Sequence, residues 1–79
     1  MKIYLLSQRE NFDYDTYDSC VVIAENEEKA IMTHPYEDKW DGIAEIYDGW
    51  CSSKYVKVKY LGETDLEPQV VCASYNAGY

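Results

Sequence analysis

Seventy-nine residues make a single small domain, residues 1–79, with no room for a second core. Fifteen acidic against seven basic side chains give a formal net charge of -8. That charge excludes functions whose affinity comes from cationic contacts, namely direct binding to DNA, RNA or an anionic membrane. A hydrophobic share of 47%, carried largely by nine tyrosines and two tryptophans, is too high for a disordered chain.

Ile3-Tyr4-Leu5-Leu6 is short, apolar and β-favourable, and predicts a first strand. Cys20-Val21-Val22-Ile23-Ala24 predicts a second, and its unbroken apolarity gives it a central place. Asn26 predicts a helix cap, with Glu27 and Glu28 in the first turn at the positive dipole end and Ala30 and Ile31 toward the sheet. Pro35 stops this two-turn helix. Residues 36–53 are the least legible: the turn dipeptides Asp41-Gly42 and Asp48-Gly49 bracket Ile43-Ala44-Glu45-Ile46-Tyr47, which reads equally as a strand or a helical turn.

Val56-Lys57-Val58-Lys59-Tyr60 alternates, predicting a third strand with Val56, Val58 and Tyr60 inward and the lysines outward. Gln69 to Tyr75 predicts a fourth. The expected fold class is therefore α+β: a small, mostly antiparallel four-stranded sheet in the order β-β-α-β-β, with one short helix packed on a face. No run approaches the ~20 apolar residues of a membrane span, and Lys2 leads into too short an apolar stretch for a signal peptide, so a cytosolic location is expected.

Between the first two strands lies Asn11-Phe12-Asp13-Tyr14-Asp15-Thr16-Tyr17-Asp18-Ser19, three carboxylates interleaved with three rings. Such a stretch makes a poor core, because each Asp loses hydration on burial and repels its neighbours. It makes a good contact surface, since tyrosine offers rigid area with a polar tip. Asp13, Tyr14, Asp15, Tyr17 and Asp18 are the candidate partner-binding residues, expected to be exposed, with Glu37, Asp38 and Asp41 enlarging the surface. Alternate residues of an extended strand lie roughly 6.6 Å apart on one face, comparable to successive backbone phosphates.

Other chemistry fails on residue type. An EF-hand loop from Asp13 needs Gly at its sixth position and Glu at its twelfth, where this chain has Asp18 and Ala24. Cys20, Cys51 and Cys72 lack paired spacing, so no metal site is expected; Cys20 and Cys72 read as buried, unpaired thiols. The single histidine, His34, stands in Thr33-His34-Pro35 with no nucleophile placed beside it, and Trp40 and Trp50 read as core rings. No catalytic residue and no cofactor are expected.

Met1-Lys2-Ile3-Tyr4-Leu5-Leu6-Ser7-Gln8, Tyr14-Asp15-Thr16-Tyr17-Asp18-Ser19, Val21 to Glu28, His34-Pro35, Val56 to Gly62 and Val71-Cys72-Ala73-Ser74-Tyr75-Asn76-Ala77-Gly78 resemble a group of small bacteriophage and prophage proteins. The likeness spans most of the chain except residues 36–50. It implies a setting in which small acidic proteins inhibit host machinery, anti-CRISPR and anti-restriction proteins among them. The expected function is a non-enzymatic, phage-encoded inhibitor of a host defence complex, acting in the host cytosol as a monomer or homodimer. Its acidic, Tyr-rich surface would occupy a basic nucleic-acid-binding site on a host protein or ribonucleoprotein. The alternatives are a sponge for a small molecule or nucleotide, and an accessory phage protein acting through protein–protein assembly.

Overall fold

A computed structural model of the chain describes residues 1–10, 16–36, 40–43 and 49–76. It shows a four-stranded antiparallel sheet with one short helix. The strands are β1 (Lys2–Ser7), β2 (Thr16–Ala24), β3 (Lys57–Glu63) and β4 (Gln69–Asn76); the helix α1 (Glu27–Ile31) follows β2. A 3-10 turn over Ser53–Tyr55, which the sequence reading did not anticipate, leads into β3. The spatial order is β3-β1-β2-β4, so the two strands richest in branched and aromatic residues occupy the centre.

Register explains the core. Tyr4 faces Val22 and Leu6 faces Cys20 across β1–β2, while Leu6 also faces Val58 and Val22 faces Val70. Directly opposed residues share a face, so these side chains form one apolar layer. Trp50, Cys51, Val56 and Ala30 cover it, with Trp40 packed alongside. Trp50 and Leu6 are among the largest fully buried side chains. Asn26 caps α1 as its composition predicts: its side-chain oxygen accepts from the backbone N–H of Lys29 at 2.9 Å.

With five residues, α1 is only about 7.5 Å long. It packs against β1, β2 and β3, and β4 lies beyond its cover. Two side chains of the edge strands are more exposed than their sequence pattern suggests. Cys72 is exposed, not buried, because the register sets it opposite Val21 on the face turned away from Val22 and the helix; Cys20, on the core face of the central β2, is buried. Tyr60 shares the core face with Tyr4, opposite it and in edge-on ring contact, but on the edge strand β3 it stays half-exposed, its hydroxyl donating to Glu63. No helix of the described residues is long and apolar enough to cross a membrane.

Candidate functional site

Of the eight candidate contact residues, Tyr17, Asp18 and Asp41 fall among the described residues; Asp13, Tyr14, Asp15, Glu37 and Asp38 lie outside them. Asp41 is exposed, and its side chain accepts from the backbone N–H of Ile43 at 3.0 Å, which orders its own turn. Tyr17 and Asp18 are not largely exposed; both are half-buried.

A bulge causes this. The β2–β4 register passes from Tyr17 opposite Tyr75 to Ser19 opposite Ser74, leaving Asp18 with no partner on β4. The extra residue turns Tyr17 onto the face that Cys20 and Val22 share. There its ring lies 4.8 Å from that of Tyr75 and 5.4 Å from that of Tyr36. The stack continues through His34, 4.2 Å from Tyr36, to Trp40, 5.2 Å from His34. Gly49 locks the arrangement: its carbonyl accepts from the Tyr17 N–H at 2.7 Å, and its own N–H donates to the Tyr36 hydroxyl oxygen at 3.1 Å. Tyr36 is 52% exposed and Tyr75 49%, so two rings of the stack reach solvent from a fixed base. Neither was singled out from sequence; each lies far from Tyr17 along the chain.

Gln8 organises the entry to the acidic stretch. It is buried, its side-chain amide donates to the Tyr17 carbonyl at 2.7 Å, and its side-chain oxygen accepts from the Glu10 N–H at 2.9 Å. Its backbone N–H also donates to the Asp18 carbonyl, at 3.1 Å. Beside it opens a cleft of about 450 Å³ lined by Ser7, Gln8, Arg9, Asp18, Ser19 and Lys57. One Asp18 carboxylate oxygen is buried with no hydrogen-bond partner among the described residues.

The strongest acidic surface among the described residues is elsewhere. Lys2 of β1 faces Ala24, the last residue of β2, and Glu63, the last of β3, so the exits of β2 and β3 share one end of the sheet. The β2–α1 junction brings Glu25, Glu27 and Glu28 there, and the β3–β4 connection brings Glu63, Asp65 and Glu67. All six are exposed, against three described cations, Lys2, Lys29 and the Met1 ammonium, which donates to the Thr64 carbonyl at 3.1 Å. Lys29 is engaged by Glu25, and this hydrogen bond and charge hold the Glu25 carboxyl below its ordinary range. The sequence reading missed this end because six carboxylates spread over residues 25–67 converge only through the strand order.

His34 is buried, and its Nδ1 accepts from the Tyr36 N–H at 3.2 Å. Among the described residues, no group of three or more His, Cys, Asp and Glu is placed to hold a metal ion. Burial, with a lesser contribution from Cys72, pushes the Cys20 thiol up to about 12. Compared with protein-family models, curated proteins and solved structures, the chain matches none.

Proposed function

We propose that the chain is a non-enzymatic inhibitor of a host defence complex, of the anti-CRISPR type, that occupies a basic nucleic-acid-binding surface in the host cytosol. The observation that carries this reading is the gathering of Glu25, Glu27, Glu28, Glu63, Asp65 and Glu67 at one end of the sheet. Such a field attracts a cationic groove and accelerates encounter with it. Toward the other end of the sheet, the exposed rings of Tyr36 and Tyr75, fixed on Tyr17, offer a second contact area with anchors of the kind in which interface energy concentrates. Catalysis is disfavoured because the one histidine is packed between rings with its Nδ1 lone pair engaged. The phage setting comes from the sequence resemblance alone.

The cleft beside Gln8 favours a second reading, a sponge for an anionic small molecule. It brings the single arginine, Arg9, together with Lys57, two serines and one carboxylate. Binding to a purified CRISPR surveillance complex, set against retention of small molecules from a cell extract, separates the two. The first reading expects a stoichiometric protein complex. Enrichment of a nucleotide, lost in Arg9→Ala, with no protein complex formed, would establish the second in its place.

A further inference from the structure

Asp18 combines three features that packing alone does not require. It sits at the β2–β4 bulge, one of its carboxylate oxygens is buried with no hydrogen-bond partner among the described residues, and it lines the cleft beside Gln8. Bulges recur beside binding sites because they re-aim a side chain, and a buried polar atom left unmatched calls for a partner from outside. The backbone beneath it is fixed, the Asp18 carbonyl accepting from the Gln8 N–H at 3.1 Å. The rest of the described lining is of opposite character. Ser7 stands opposite both Ser19 and Lys57, one position past the core residue Leu6, so two hydroxyls and an ammonium share a row on the outer face of the sheet. Arg9 lies just beyond the end of β1 and completes the row. Among the described residues no ion pair joins Asp18 to Arg9 or Lys57. The cleft thus holds an acceptor and a set of donors that do not neutralise each other.

Building on the second reading above, that this cleft holds an anionic small molecule, we propose that its ligand is a guanine mononucleotide. Arg9, Lys57 and the hydroxyls of Ser7 and Ser19 hold the phosphate, and Asp18 reads the base. An ionised carboxylate only accepts hydrogen bonds, so it selects an edge with two adjacent N–H donors. Guanine presents its N1–H beside its 2-amino group. Adenine and cytosine each set an acceptor beside the amino group, and a carboxylate repels it. Two cations with two hydroxyls suit a phosphate, and a cleft of about 450 Å³ lies in the size range of small-molecule sites. The net charge of -8 does not oppose this. The six-carboxylate end lies at Lys2 and the cleft at Ser7, roughly 17 Å apart along β1 and about two Debye lengths at physiological salt.

An NMR titration of the whole isotope-labelled chain with guanosine, inosine and adenosine monophosphates, each up to about 1 mM, tests it. The backbone amides of Ser7, Arg9, Ser19 and Lys57 should shift, with guanosine monophosphate bound at least roughly tenfold tighter than adenosine monophosphate. Inosine monophosphate, which lacks only the 2-amino group, should fall between them. Asp18→Asn exchanges one acceptor for a donor and should level the ratio or turn it toward adenosine monophosphate. Lys57→Ala should weaken all three nucleotides alike and leave the ratio unchanged. Should Asp18→Asn fail to fold, the inosine ratio in the parent chain decides. Equal affinity for the three nucleotides, or a guanine preference that survives Asp18→Asn, overturns the assignment of the base and leaves the anion cleft standing. No shift with any nucleotide overturns both.

Discussion

Tyr17 and Tyr75 stand directly opposite each other in the β2–β4 pair, their ring centroids 4.8 Å apart, so one ring of the acidic-aromatic stretch braces an edge strand. A half-buried ring in that position is structural, whereas Tyr36 and Tyr75 expose about half of their surface. Tyr17→Ala should therefore cost about 2–3 kcal/mol. In a domain of this size that lowers Tm by roughly 10 °C or more. Tyr75→Phe should leave Tm within a few degrees. Thermal melts of the two variants check the contrast; equal melting temperatures would remove Tyr17 from the packing argument.

Asp18 differs from the other described acids in burying a carboxylate oxygen that finds no partner among the described residues. Asp18→Asn removes the charge and keeps the shape, and should raise stability by about 1 kcal/mol. Urea unfolding at neutral pH measures it. A loss of the same size would show instead that Arg9 or Lys57 holds the carboxylate across the cleft.

The thiols give a readout of burial and of pH. Cys72 should react with a thiol reagent in the native state, while Cys20 and Cys51 should react only on unfolding. The Cys20 thiol ionises near 9 when unfolded but is pushed up to about 12 in the fold. The unfolded chain thus releases its proton first, and stability should be complete below pH 9 and fall progressively above it. Cys20→Ala should cost on the order of 1 kcal/mol at pH 7 and flatten this alkaline decline. An unchanged slope between pH 9 and 11 would contradict the assignment.

Gly42 sits at φ +86°, in the region that L side chains rarely adopt, and a Cβ there would lie 2.8 Å from Ser53 Oγ and 3.0 Å from Met32 Cε. Its carbonyl also accepts from the Ser53 N–H at 2.8 Å. Gly42→Ala should destabilise by about 1–3 kcal/mol from backbone strain and crowding together. A melt matching that of the parent would show that the turn relaxes freely.

Local signals made much of the architecture legible. The apolar runs at Ile3–Leu6 and Cys20–Ala24 mark the two central strands, and Asn26 followed by Glu27 and Glu28 marks the helix start. What stayed hidden depends on long-range register. A one-residue bulge at Asp18 turns Tyr17 inward, and no periodicity rule reports a bulge in advance. Cys72 reads as core until the register sets it opposite Val21, on the outer face of an edge strand. Gln8 reads as loop, yet it is buried because Tyr17 and Glu10 satisfy its amide. The acidic end formed by Glu25 to Glu28 and Glu63 to Glu67 exists only once β2 and β3 exit on the same side.

The most direct test of the anionic-surface account is a salt titration of binding to a purified CRISPR surveillance complex, run with and without competing nucleic acid. If the carboxylate end stands in for nucleic acid, association should slow steeply from low to moderate ionic strength, and the competitor should exclude the chain. Reversing Glu63, Asp65 and Glu67 to lysine should slow association more than it speeds dissociation. Binding that ignores salt, together with a ternary complex that still holds its nucleic acid, would contradict the account.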